Sequence, residues 1–178
     1  MDNKNLEIKQ ILSLAIENHK KNNFKLAEDL YNKILKKDSS HFESLFLLGT
    51  LFSQIKNYNK SITLLNKAIQ VQPNHANSHH NLGSALIELG EFDKAIEALQ
   101  KVIQIDSKHS DAYYNLGNAY KQLRDFKNAK KHYEKAILLQ PRNSRALNNL
   151  GNILKELGDL KNAIKAYNRA IQIQPNHA

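Results

Sequence analysis

The chain has 178 residues, 41% of them hydrophobic, with three prolines, six glycines, no cysteine and a net charge of +9. The lack of cysteine excludes disulfide frameworks, thiolate metal sites and cysteine nucleophiles. The most apolar stretch, Leu45 to Phe52, is too short to span a bilayer, and the polar start Met1-Asp2-Asn3-Lys4-Asn5 has no apolar run behind it to act as a secretory signal. A soluble, cytoplasmic protein with no membrane contact is expected.

The sequence repeats with a period of 34: Gly49, Gly83, Gly117 and Gly151 share one phase, Ala15 holds the same place one period earlier, and each is preceded by Leu. Five units follow, at residues 8–41, 42–75, 76–109, 110–143 and 144–177, within a single domain spanning 1–178. In each unit the apolar residues at positions 4, 7, 11 and 14 predict one face of a first helix, as in Tyr113, Leu116, Tyr120 and Leu123. A polar turn comes next, and apolar residues at 17, 20, 24, 27 and 28 predict a second helix. Proline at position 32 (Pro73, Pro141, Pro175) stops it.

The first unit departs most from the others. It has Ala15 for glycine, and Asn18, Lys21 and Lys37 where apolar residues recur. Such polar substitutions suit a terminal repeat with one face in water. The second unit carries Phe46 and Leu47 on its first helix, which together with Leu12 and Ile16 predict an apolar stretch of groove or a packing contact. In the third unit, Leu89-Gly90-Glu91 reads as a helix end with glycine and a helix start with an acid. His79 takes a bulky apolar place and is expected to be partly buried with one hydrogen bond. The fourth unit is the most regular, from Asn115-Leu116-Gly117-Asn118-Ala119-Tyr120 to Ala129, Tyr133, Ala136 and Pro141. Small residues at 8, 20 and 27 let backbones approach closely, so Gly117→Leu is expected to cost roughly 1–3 kcal/mol or more. In the fifth unit Leu157-Gly158-Asp159 repeats the turn. Pro175-Asn176-His177-Ala178 copies Pro73-Asn74-His75-Ala76, whose Ala76 opens the third unit. A fragment of a longer array is expected, whose last helix pair, around Leu154, Ile164 and Tyr167, offers a face for a homo-oligomer.

This pattern resembles the tetratricopeptide repeat, whose 34-residue period carries the order L-G, Y, A, F, P. The resemblance spans residues 8–175 and implies an all-α fold: a right-handed α-solenoid of five helix-turn-helix repeats, binding a protein or peptide partner on the concave side lined by first helices. On each first helix, positions 2, 6, 9 and 13 fall opposite the core face. Position 6 reads Ser13, Leu47, Asn81, Asn115 and Asn149, and position 9 ends in Asn118 and Asn152. At the margin, position 5 reads Leu12, Phe46, His80, Tyr114 and Asn148. An amide side chain has a donor and an acceptor and so matches both polar groups of a peptide unit. The row Asn81, Asn115 and Asn149 resembles the asparagine ladder of O-linked N-acetylglucosamine transferases, which grips a peptide main chain. The alternative is a solvated polar face.

No catalytic residues, metal ligands or cofactor site emerge. There is no phosphate loop and no paired carboxylate, and His41, His75, His109 and His177 share the inter-repeat turn, so a non-enzyme is expected. Position 26 is basic throughout (Lys33, Lys67, Lys101, Lys135, Arg169) and is expected to face outward. The groove stripe mixes Lys9, Glu43, Asp111 and Arg145, which argues against nucleic acid. A carboxylate-clamp groove wants lysine at position 5 and does not fit. The expected function is a protein-interaction scaffold. The alternatives are a substrate-recognition module of a larger enzyme such as a glycosyltransferase, and a self-assembling structural array.

Overall fold

A computed structural model describes residues 3–174, so Pro175, Asn176, His177 and Ala178 lie outside the described residues. The first helices of the five repeats are α1 (Asn3–Lys20), α3 (Phe42–Gln54), α5 (Ala76–Glu88), α7 (Ser110–Gln122) and α9 (Ser144–Glu156). The second helices are α2 (Phe24–Lys37), α4 (Tyr58–Val71), α6 (Phe92–Ile105), α8 (Phe126–Leu139) and α10 (Leu160–Ile173). All described elements are helices, arranged as five helix-turn-helix units. Internal contacts group the chain into two compact units, Met1–Ala85 and Leu86–Ala178.

The repeat positions explain the helix ends. First helices α3, α5, α7 and α9 begin at position 1, where the residue before them caps the helix. The Nδ1 atoms of His41, His75 and His109 accept the backbone N–H groups of Ser44, Ser78 and Ala112 at 3.2–3.3 Å. The Asn143 oxygen accepts from Ala146 at 2.9 Å. A ring nitrogen that accepts carries no proton, so these histidines are helix caps with the proton on Nε2. The second helices α4, α8 and α10 are capped in the same way by Asn57, Asp125 and Asp159. The turn between helices places position 15 in the left-handed region. Gly90 and Gly158 adopt it at φ of 78° and 80°, and Asn22, Lys56 and Arg124 adopt it near 60° at some steric cost.

Position 14 is corrected by the structure. It was expected in the core, yet Ile55, Leu89, Leu123 and Leu157 are exposed. The first helices end at position 13, so position 14 is the C-cap and turns outward with the chain. In its place, positions 3 and 10 are sealed: Ser44, Ser78, Ala112 and Ala146, then Leu51, Ala85, Ala119 and Ile153. Repeat 1 has exposed Gln10 and Glu17 there, which makes the outer face of α1 polar.

In the first unit, Ala15, Ala27, Tyr31, Leu48, Leu51 and Phe52 form a core, with Ile8, Ile11 and Ile34 beside it. Leu12, Ile16 and Leu47 pack onto that core, so they are packing contacts. Phe46 stacks on Phe42 and meets the His75 ring edge-on. Asn18 is buried but satisfied, since Nδ2 donates to the Leu14 carbonyl at 2.8 Å and its oxygen accepts from Asn23 at 3.1 Å. His79 is buried, with Nε2 donating to the Pro73 carbonyl at 2.8 Å, as expected. In the second unit the core joins Ala129, Tyr133, Ala136 and Ile137 to Ala146, Leu147, Leu150 and Ile153.

Candidate functional site

The expected groove residues lie on first helices and divide between the two units. In the second unit they are Tyr114, Asn115 and Asn118 on α7 and Asn148, Asn149 and Asn152 on α9. Asn148 and Asn152 are exposed, while Tyr114, Asn115, Asn118 and Asn149 are half-buried. None is sealed under a neighbouring element.

The amides are already bonded to one another and to tyrosines. The Tyr133 hydroxyl, on α8, donates to the Asn118 oxygen at 2.8 Å. Asn149 Nδ2 donates to the same oxygen at 3.1 Å and to the Tyr114 hydroxyl at 3.4 Å. The Arg145 guanidinium sits 5.3 Å from the Tyr114 ring centre, a cation–π contact. In repeat 5, Tyr167 donates to the Asn152 oxygen at 2.8 Å. Burial pushes the Tyr133 hydroxyl well above its ordinary range, so it stays a donor at any working pH.

In the first unit Asn81 Nδ2 donates to Thr50 Oγ1 at 3.0 Å, and Thr50 donates to the Phe46 carbonyl at 2.9 Å. His80 is half-buried beside it. Asn81 to Thr50 and Asn149 to Asn118 are the same bond, from position 6 of one repeat to position 9 of the repeat before. Residue identity along the stripe did not reveal it, because the bond depends on the offset between adjacent first helices. The partnership of position 24 with position 9 had a signal that was missed: Asn118 and Asn152 occur in repeats where position 24 is Tyr133 or Tyr167, while Thr50 and Ser84 occur in repeats where it is Leu65 or Leu99.

A second feature, also missed in the sequence, is His132 on α8. Its ring stacks on Tyr120 at 5.3 Å and Tyr113 at 6.0 Å, and its buried Nδ1 has no partner. Among the described residues no cluster of histidine, aspartate and glutamate could hold a metal. No described helix is long and apolar enough to cross a membrane. The position-26 row is exposed at Lys33, Lys67, Lys101 and Arg169, and Lys135 lies over the Tyr113 ring.

Among the described residues, ten helices in five pairs, with small residues at fixed close contacts, define a class of protein. The chain belongs to the tetratricopeptide-repeat family, a class of protein-interaction scaffold. It matches the families described as tetratricopeptide repeat over residues 114–178 and TPR repeat over 83–124. It also matches anaphase-promoting complex, cyclosome, subunit 3 over 20–102. The crystal structure of MamA is 30% identical, covering 90% of this chain and 94% of that one, with a TM-score of 0.87. MamA 41-end from Desulfovibrio magneticus RS-1 is 19% identical, covering 99% of this chain and 98% of that one, with a TM-score of 0.90. YrrB, described as a TPR protein with an unusual peptide-binding site, is 19% identical, covering 99% and 94%, with a TM-score of 0.83. No curated protein matches the chain.

Proposed function

We propose that the chain is a non-catalytic scaffold whose first helices bind an extended polypeptide by its main chain. In the second unit the contacts are Asn115, Asn118, Asn148, Asn149 and Asn152, with Tyr114 at the margin; in the first unit, His80 and Asn81 take the same part. One observation carries this reading. The Asn118 oxygen is filled by Tyr133 and Asn149, so its Nδ2 is the group left to donate, and the Asn149 oxygen is left to accept. The two amides are held at defined orientations and present one donor and one acceptor, which is what one peptide unit needs. Orientation fixed before binding lowers the entropy lost on association. The mixed charges along the stripe favour a ligand recognised by its backbone over one recognised by its charge. The peptide-binding site ascribed to YrrB agrees with this at the level of fold.

The test is a screen of immobilised 15-residue peptides, followed by anisotropy titration of the best binder. Asn115→Ala/Asn149→Ala should weaken binding at least tenfold. N-methylation of the peptide backbone should do the same, while alanine replacement of most peptide side chains should not. Unchanged affinity in the double variant removes the reading. Asn149 also bonds Asn118 and Tyr114. The loss of these bonds costs about 1 kcal/mol, so binding is compared well below the melting temperature.

A further inference from the structure

Repeat 4 holds a set of side chains that the groove does not use. Leu138, on α8, is 70% exposed. The same position is Lys36, Gln70, Gln104 and Gln172 in the other repeats, so an apolar residue there is particular to this one. His132 stands at position 23, where repeats 3 and 5 have Ala98 and Ala166. Its ring lies against Tyr120 and Tyr113, at 5.3 and 6.0 Å between centres. Beside it a cavity of about 420 Å³ opens among α6, α7 and α8. Ile103, Tyr113, His132 and Leu138 give it an apolar and aromatic lining, and Lys131 and Lys135 stand in its walls.

The polar groups around this cavity are mostly donors. Among the described residues, His132 Nδ1 is the buried side-chain atom left without a partner. A sealed N–H with no acceptor costs more than a sealed lone pair, so the neutral ring keeps its proton on Nε2. Burial, and after it the nearby Lys131, hold the ring neutral by keeping its pKa below the ordinary 6.5. Nε2 is then a donor, and the two ammonium groups can only donate. Lys135 Nζ lies 6.0 Å from the Tyr113 ring centre, which holds that cation over the aromatic wall. The carboxylate of Glu134, also in the lining, is paired with Lys130 at 3.7 Å. Two cations therefore meet one anion that is already engaged.

Repeat 5, in the same compact unit, lacks this set. Its matching residues are Ile137, Leu147, Ala166 and Gln172. Ile137 and Leu147 are buried, an alanine replaces the histidine ring, and an amide replaces the exposed leucine.

We propose that the cavity in repeat 4 is a small-molecule site, separate from the groove, for an organic acid with an apolar body and one anionic group. The body lies against Ile103, Leu138 and the Tyr113 ring, and the anion meets Lys131, Lys135 and the His132 Nε2–H. Size favours such a ligand, since small-molecule sites span about 300–1,000 Å³ and pair an apolar lining with a few polar groups. A polypeptide strand matches less well, because each of its peptide units also brings an N–H that needs an acceptor. Tyr113 stands at position 4 of α7, on the side opposite the amide stripe, so the two sites use different faces of that helix.

The probe is anilinonaphthalene sulfonate, which joins an aromatic body to one anion and fluoresces on leaving water. N-phenylnaphthylamine has the body without the charge. Titrated into the full chain, the sulfonate should show saturable binding. Lys131→Gln/Lys135→Gln should weaken it by about tenfold, the worth of one charge-assisted bond, and leave the neutral dye unchanged. Leu138→Gln installs the residue of repeats 2, 3 and 5 at an exposed position. It should weaken both dyes and match the parent in circular dichroism. The His132 ring nitrogens should shift in NMR spectra as the sulfonate binds, while those of His41 stay. Asn115→Ala/Asn149→Ala, which tests the groove, should bind the sulfonate as the parent does, so the two readings fail separately. Absent or non-saturable binding overturns the proposal. So does a Leu138→Gln variant that binds the sulfonate as well as the parent, or a neutral dye bound as tightly as the sulfonate.

Discussion

Gly117→Ala is the sharpest test of how this array is held together. Gly117 lies on α7, and a Cβ there would meet Tyr133 Cδ1 and Cε1 at 2.6 Å and Cγ at 3.0 Å. Carbon atoms rest at about 3.5–4.0 Å, so the ring must withdraw by about 1 Å. Tyr133 is fully buried and anchored to Asn118 at 2.8 Å, so withdrawal also breaks that bond. Overpacking costs about 1–3 kcal/mol, and the lost hydrogen bond adds about 1 kcal/mol. Alanine returns about 1 kcal/mol in helix propensity. The net expectation is a loss of about 1–3 kcal/mol. Repeat 1 shows the escape. There Ala15 holds the same place, Tyr31 is still fully buried, and its hydroxyl lies 3.3 Å from His19 Nδ1 instead of at position 9, which is Ile16. Repeat 4 has Lys121 where repeat 1 has His19. Gly117→Ala/Lys121→His should therefore recover part of the loss. Urea unfolding followed by circular dichroism measures both variants. Amide exchange on α7 and α8 guards against a transition that is not two-state. A Gly117→Ala variant as stable as the parent refutes the steric argument, and a double variant with no recovery refutes the rerouted hydroxyl.

Tyr133→Phe keeps the ring and removes one donor from Asn118. It should cost about 1 kcal/mol in urea unfolding, and no loss would mean the hydroxyl is not bonded as described. Burial between Tyr113 and Tyr120, with Lys131 near, holds the His132 pKa below its ordinary 6.5, against a smaller opposing pull from Asp125. The unfolded chain therefore takes up the proton first. Stability should be full above about pH 6.5 and decline as pH falls through that value toward the folded one. His75 acts with the same sign. His132→Phe should flatten this part of the curve, and an unchanged pH profile of the melting temperature would count against it. Asp125→Ala removes the cap on α8 and should cost about 1 kcal/mol at neutral pH. The Asn128 bonds hold the Asp125 carboxyl below its usual range, so the cap's contribution is present above about 3.8 and lost as pH falls through the folded value. The difference between parent and variant should shrink in acid.

The 34-residue period determined the architecture because each repeat folds by contacts within itself and with its neighbours. Helical periodicity reports which side of one helix is apolar, and that suffices for the helix pairs, the close glycines and the histidine turn; the polar face of α1 was read at Asn18, which is buried, and lies instead at Gln10 and Glu17. Position 14 escaped this logic, since its phase is right for the core but the helix ends one residue earlier. The amide stripe was legible as a set of residues and illegible as a network. Asn149 reaching back to Asn118, Tyr133 reaching across to it, and Asn81 meeting Thr50 depend on how far one helix slides along the next. That offset is a property of the packed helices and not of any one of them. The cavity beside His132 likewise becomes visible only when Ile103, Tyr113 and Leu138 are seen together, since three helices supply them. Sequence alone decides which atoms each repeat brings, and only the packed structure decides which of them are already satisfied.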